Sequence, residues 1–171
     1  MHRCFLFLGL CAQLAACSPS LNWREVRPAG GDLQAMLPCK PDQGSRRQSL
    51  AGRELEVHML GCEAGGALYA VSVADLADGG QALAVQVQWQ ANLLGNMQAV
   101  SASNSAWTLK GASATLAPVR LSAQGVGSDG RPVAAQAVWF VRGTRLYHAV
   151  VYAERISTEM SEPFFGGLEL P

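Results

Sequence analysis

Apolar and polar residues alternate along several short segments of the chain, which is the pattern of half-buried β-strands. In the predicted strand 53–61, Leu55, Val57 and Met59 alternate with Glu54, Glu56 and His58. A preceding segment, 45–50, is separated from it only by Ala51 and Gly52. The two segments are therefore predicted to form a β-hairpin with one apolar and one polar face.

Further strands follow from the same pattern and from the Gly and Pro residues between the segments. They are predicted over residues 21–27, 33–37, 67–74, 105–110, 118–124, 131–141 and 144–153, with a closing edge strand at 168–170. The segment 105–110 contains Trp107. The segment 144–153 is apolar at consecutive positions, which is typical of a strand buried on both faces.

The longest helical pattern runs from Gln81 to Met97, and its Gln, Ala and Leu content favours a helix. Four apolar residues recur in it at helical spacing: Leu83, Val87, Ala91 and Leu94. A short helix is predicted from Ser157 or Thr158 to about Phe165, where two glycines end it. The order of elements indicates an α+β fold, a largely antiparallel sheet flanked by one long and one short α-helix.

The N-terminus has the pattern of a secretory signal. A short basic start with Arg3 precedes an apolar run from Phe5 to Ala16, which is too short for a membrane-spanning helix. The residues Leu14-Ala15-Ala16-Cys17 resemble the lipobox of bacterial lipoproteins. This resemblance implies cleavage between Ala16 and Cys17 and a lipid on the Cys17 thiol. Ser18 stands where an inner-membrane retention signal has Asp, which implies the periplasm-facing leaflet of the outer membrane.

The chain then divides into a signal peptide (1–16), a lipidated tether (17–20) and one globular domain (21–171). Two alternatives are an ordinary signal peptide that contains a cysteine and an N-terminal core helix. The lipid anchor implies a membrane partner, and we expect a second partner among the envelope proteins. Lys and Arg together number 13, as do Asp and Glu, and they form no basic stripe, which argues against nucleic-acid binding.

Five cysteines occur in the chain. Cys4 and Cys11 would leave with the signal peptide and Cys17 would carry the lipid, so Cys39 and Cys62 would remain in an oxidising compartment. We predict that these two form a disulfide. It would close a loop of roughly 24 residues and stabilise the domain by about 3 kcal/mol. Two buried free thiols are the alternative, whereas a metal site would need a histidine at ligand spacing.

The order of elements, together with four segments, resembles the PsbP-like family. The segments that carry the resemblance are 33–41, 67–71, 144–150 and 164–170. The resemblance implies an α/β/α sandwich and covers most of the domain. The chain departs from the family pattern at Cys39 and Gly167, where Gly and Ser are usual. The family shares no catalytic residues, so the resemblance implies topology and assigns no activity.

The sequence contains one glycine motif and three tryptophans that could indicate cofactor or ligand binding, and each has a structural interpretation that we favour. Residues 125–130 match the dinucleotide pattern G-x-G-x-x-G, but a strand follows where phosphate binding needs a helix N-terminus. We therefore interpret them as a hairpin tip and expect no cofactor. Trp89, Trp107 and Trp139 are interpreted first as core residues and, alternatively, as the lining of a ligand groove between sheet and helix.

Catalytic candidates are His58, Asp75 and His148. His58 is expected on a solvated strand face, and His148 is expected in the core, paired with a neighbour. Asp75 follows a strand with no nucleophile assignable beside it, and no G-x-S-x-G elbow is present. The sequence therefore favours a non-enzymatic binding or scaffolding role in the cell envelope. The alternatives are a small-ligand carrier and a small envelope enzyme that uses these three residues.

Overall fold

The computed structural model describes residues 21–171. The predictions for the signal peptide, for cleavage after Ala16 and for lipidation of Cys17 lie outside the described residues. The described elements, in chain order, are β1 (Arg24–Val26), β2 (Ala35–Leu37), β3 (Asp42–Leu50), β4 (Arg53–Ala64), β5 (Ala67–Asp75), a 3₁₀ turn (Gly79–Gln81), α1 (Ala82–Asn96), β6 (Ser101–Ala106), β7 (Val119–Val126), β8 (Pro132–Arg142), β9 (Arg145–Ala153) and α2 (Thr158–Gly166).

Seven of these strands form one antiparallel sheet in the order β3-β4-β5-β9-β8-β7-β6. The remaining two, β1 and β2, form a separate two-stranded ribbon. Central strand β9 is buried along almost its whole length, as its largely apolar sequence predicts. One long helix and one short helix complete the architecture, so the predicted α+β class is confirmed.

The sheet has two covered faces, which we call the α1 face and the ribbon face. The α1 face packs under helix α1 and includes Leu55, Val57, Ala137, Trp139, Leu146 and Val150. The ribbon face packs under the β1–β2 ribbon, helix α2 and the segment 107–112, and it includes Tyr69, Val71, Phe140, Tyr147, Val151 and Phe164. Since β4 contributes Leu60 to the ribbon face, its second face is partly apolar, and the prediction of a wholly polar face was wrong there.

Helix α1 is oriented by its tryptophan. It buries Ala82, Val85, Gln86, Trp89 and Leu93. Trp89 offers the largest apolar area on the helix, and at 100° per residue it points away from the side that carries Leu83. The predicted stripe is therefore largely the outer side of the helix, with Leu83 58% and Val87 56% exposed.

Strand β6 differs from its predicted position. The sequence predicted a strand over 105–110 around Trp107, whereas β6 spans Ser101–Ala106 and Trp107 follows it. The Trp107 ring turns onto the ribbon face, where its centroid lies 5.8 Å from that of Phe140. Every residue of β6 is exposed, so pairing with β7 rather than burial holds this strand in the sheet.

Both predicted hairpins are present. Ala51 and Gly52 have φ values of 51° and 73°, which is the left-handed backbone that a two-residue type I′ turn requires. The G-x-G-x-x-G segment joins β7 to β8, as a hairpin tip would. The predicted edge strand at 168–170 is reduced to a single bridge between Glu169 and Gln34.

A disulfide joins Cys39 to Cys62, whose Cα atoms are 6.0 Å apart, in agreement with the predicted pairing. Cys39 follows β2 and Cys62 lies in β4, so the bond fastens the ribbon to the sheet. Over residues 21–171, no helix is both long and apolar enough to cross a bilayer.

Candidate functional site

His148 lies on the α1 face between two tryptophans. Its ring centroid is 4.7 Å from that of Trp139 on β8 and 5.0 Å from that of Trp89 on α1. The register explains one contact, because Trp139 and His148 are cross-strand partners on adjacent strands. His148 is only 4% exposed, so the prediction of a core histidine was correct.

The predicted hydrogen-bond partner of His148 was wrong. Among the described residues, neither ring nitrogen of His148 has a hydrogen-bond partner, and the contacts are ring contacts instead. Burial lowers the pKa of His148 to about 3, because removing the ring from solvent disfavours its charged form. The neutral ring is thus a stacking element of the core.

The three tryptophans do not line one groove. Trp89 and Trp139 pack on the α1 face, whereas Trp107 packs on the ribbon face. The sheet separates them, so the sequence-based alternative of a single tryptophan-lined groove was wrong. Trp139 has no exposed surface, which leaves it unavailable to a ligand.

His58 and Asp75 belong to the ribbon side of the sheet. His58 is half-buried, because the backbone of Gly30 crosses it so closely that a Cβ on Gly30 would lie 2.6 Å from His58 Cδ2. The expectation of a solvated His58 was therefore wrong. Asp75 accepts a hydrogen bond from the Ala77 amide (3.0 Å) and shapes the turn after β5. The sheet lies between these residues and His148, so the three form no joint catalytic site.

Asp32 forms a clasp at the end of the sheet where β8 turns into β9. Its carboxylate accepts a hydrogen bond from Arg145 and lies 3.9 Å from Arg142 Nε. Its amide donates to the Tyr147 hydroxyl (3.3 Å). Gly31 permits this approach, since a Cβ there would lie 2.8 Å from the Tyr147 ring. The clasp holds the loop 28–32 on the ribbon face and is structural.

An open groove of about 920 Å³ lies on the part of the ribbon face that α2 leaves uncovered. Its floor is formed by β6, β7 and β8, and one wall is the segment 154–156 that leads into α2. The polar side chains of the floor are short or uncharged: Ser101, Ser103, Ser122, Gln124 and Gln136. These hydroxyls and amides can each donate and accept hydrogen bonds.

The strand registers assemble this floor. Serines at alternate positions of β6 share one face because side chains alternate along a strand. Ser103 pairs with Ser122, which pairs in turn with Gln136, so three polar side chains form a row across three strands. A second row contains Ser101, Gln124 and Ala134.

Arg120 fixes the orientation of one floor residue. Its guanidinium donates to Gln136 Oε1 (2.7 Å) and pairs with Glu162 of α2 (3.2 Å). It also lies over the Phe165 ring, 4.6 Å from the centroid. Since Oε1 of Gln136 is engaged, the Nε2 donor is the free end of that amide.

Sequence analysis missed both the groove and the Asp32 clasp. The groove had a signal, a run of serines at every second position in 101–105, of which only Ser105 was included in a predicted strand. The clasp joins residues 113 positions apart, which local patterns do not reveal. Within residues 21–171, no cluster of three or more His, Cys, Asp or Glu residues is placed to hold a metal ion.

Comparisons with known proteins add little to this picture. No family model matches the chain, and no curated protein matches it. One similar solved structure is a crystal structure of a protein of unknown function from Pseudomonas aeruginosa. It is 17% identical, with 77% of this chain and 82% of that chain covered and a TM-score of 0.38.

Proposed function

We propose that this chain is a lipid-anchored protein of the bacterial cell envelope, held on the periplasmic side of the outer membrane. In this proposal its domain binds another envelope component and catalyses no reaction. The observation that carries it is the Cys39–Cys62 disulfide, because such bonds persist in oxidising compartments and are rare in the cytosol. The lipobox-like residues 14–17 agree with export and supply the thiol to be lipidated.

The position of Leu21 supports a binding role near a membrane. Leu21 lies against Gly65 at the tip of the β4–β5 hairpin. Ala67, next to that tip, pairs with Ala153, which pairs with Ala134 in the groove floor. The open groove and the first described residue of the domain are therefore at the same end of the sheet.

The burial of His148 and its separation from His58 and Asp75 favour a binding role over the enzyme alternative. A small-ligand carrier is the second candidate function. The groove volume of about 920 Å³ is within the range of small-molecule sites and motivates it.

The anchor is tested by intact-mass analysis of the full chain expressed in a Gram-negative bacterium. We expect the wild-type protein to lose residues 1–16, gain acyl chains and fractionate with the outer membrane. Cys17→Ser should abolish all three changes, and Cys11→Ser should abolish none. A wild-type protein that keeps residues 1–16, or that carries an unmodified Cys17, would overturn the proposal.

The binding role is tested by photo-crosslinking in cells. A crosslinking residue at Ser103 in the groove is compared with one at Ser45, which is also an exposed serine on an edge strand. We expect an envelope component to be captured from position 103 and not from position 45. Capture from neither position, or equally from both, would contradict binding in the groove.

A further inference from the structure

We infer that the groove on β6–β8 binds a neutral, hydroxyl-rich oligosaccharide. This inference rests on the binding role proposed above and names its ligand. It follows from the chemistry of the floor, from the fixed orientation of Gln136 and from the distribution of charge around the groove.

The floor offers a lattice of small hydrogen-bonding groups. Neighbouring strands lie about 4.8 Å apart, and alternate residues of one strand about 6.8 Å apart. Ser101, Ser103 and Ser122 thus present hydroxyls in two directions, each able to donate and to accept. A sugar presents hydroxyls that also donate and accept, so ligand and floor can satisfy one another in several registers.

Gln136 adds a donor whose orientation is set before a ligand arrives. Arg120 holds its carbonyl oxygen, and Glu162 and Phe165 hold Arg120 in turn. The Nε2 group is therefore presented without the loss of side-chain freedom that an unrestrained amide would incur on binding. Arg120 is a positioning residue, because it acts through Gln136.

The charge distribution argues against an anionic ligand. Gln124, Gln136 and the serines leave the floor without a cation. Arg120 is occupied by Gln136, Glu162 and the Phe165 ring, and the wall carries one acid and one base, Glu154 and Arg155. A phosphate or carboxylate would gain no net attraction, whereas a neutral glycan needs none.

The lining of the groove is not purely polar. Val100, Pro132, Val133 and Ile156 stand among the serines, alanines and glutamines, and no aromatic side chain is among the described residues that line it. A sugar can use both kinds of surface, because its hydroxyls match the polar groups and its C–H faces contact the apolar ones. An acyl chain would leave the hydroxyls and amides without hydrogen-bond partners.

The inference is tested by isothermal titration of the purified full protein with maltotriose and chitotriose. A zwitterionic detergent is used, since sugar headgroups would compete for the groove. We expect at least one of these trisaccharides to bind and anionic sialyllactose to bind more weakly. Ser103→Leu and Ser122→Leu should each weaken binding about tenfold, because each removes hydrogen bonds and fills the floor.

Two variants distinguish a direct role from a loss of folding. Ser45→Leu, on edge strand β3, should leave affinity unchanged. Arg120→Met should weaken binding several-fold while the protein still unfolds cooperatively, and Arg120→Lys should restore part of the affinity. Binding of neither trisaccharide, tighter binding of sialyllactose, or equal losses in Ser45→Leu and Ser103→Leu would overturn the inference. The acylation and crosslinking results are independent of these titrations, so either proposal can fail alone.

Discussion

The two faces of the sheet are covered in different ways. A single helix, α1, covers the α1 face. Its Trp89 packs at a tilt of 45° against His148, which stacks on the fully buried Trp139. The ribbon face is covered by several short segments together, namely the β1–β2 ribbon, helix α2 and the segment 107–112. That cover is held by the Cys39–Cys62 disulfide and by the Asp32 clasp, and it leaves the groove open.

The difference shows that the length of an element determines whether packing alone can hold it on the sheet. A helix of four turns buries enough apolar surface to remain in place through packing alone. Strands β1 and β2 have three residues each and cannot do so. The disulfide and the Asp32 clasp supply the stabilisation that packing of these short strands lacks. The ribbon face, which is covered in this way, keeps room for a ligand.

Trp139→Ala should produce the largest effect. Trp139 is fully buried on the α1 face, so truncation should lower the free energy of unfolding by about 3–5 kcal/mol. Trp107 is only half-buried on the ribbon face, and Trp107→Ala should cost about 1–2 kcal/mol. Urea denaturation measures both. Equal losses would contradict the view that the α1 face is the better packed core.

The paired change Cys39→Ser and Cys62→Ser should lower the free energy of unfolding by about 3 kcal/mol, because the unfolded chain gains freedom. Hydrogen exchange should accelerate in β2 and remain slow in α1, which no disulfide holds. Ser45→Ala, at an exposed position of edge strand β3, should change neither quantity. Uniformly faster exchange on both faces would show that the bond supports the whole domain rather than the ribbon.

Stability should fall with acidification because of His148. Its pKa is about 3 in the folded protein and near 6.5 in the unfolded chain, so between these values the unfolded state binds the extra proton. Its contribution is fully present above pH 6.5 and decreases by about 1.4 kcal/mol per pH unit as the pH falls towards 3. His148→Gln should remove this slope, and His58→Gln should retain it. An unchanged slope in His148→Gln would locate the proton uptake elsewhere.

Leu83→Ala should have the smallest effect, within about 0.5 kcal/mol, because Leu83 is on the outer side of α1. Leu93 is on the inner side, and Leu93→Ala should lower the free energy of unfolding by about 2–5 kcal/mol. Thermal unfolding of both variants tests the rotation of the helix. If Leu83→Ala were the more damaging, the assigned inner side would be wrong.

Much of the fold could be predicted because it depends on local patterns. The sequence predicted the turn at Ala51 and Gly52, the burial of β9 and the approximate limits of α2. The rotation of α1 was not, because Leu83 and Val87 follow helical spacing as well as the buried residues do. The packing of Trp89 against His148, which is 59 positions further along the chain, determines which side of α1 faces the sheet.

The site was less predictable than the fold. The groove exists because α2 covers only part of the ribbon face. The alternating serines of β6 are visible in the sequence, but the sequence does not show that the surface above them stays uncovered. Gln136 appears as one polar residue in an apolar strand until the fold places Arg120 beside it. Such features depend on contacts between strands, which periodicity alone does not specify.

The position of Leu21 beside Gly65 has a consequence for what the protein can reach. With Cys17 inserted in a bilayer, residues 17–20 would extend at most about 14 Å. The domain would then stay close to the membrane, with the end of the sheet that carries the groove near the leaflet surface. It would sample only a thin layer of periplasm next to the membrane, and molecules deeper in that space would have to come to it.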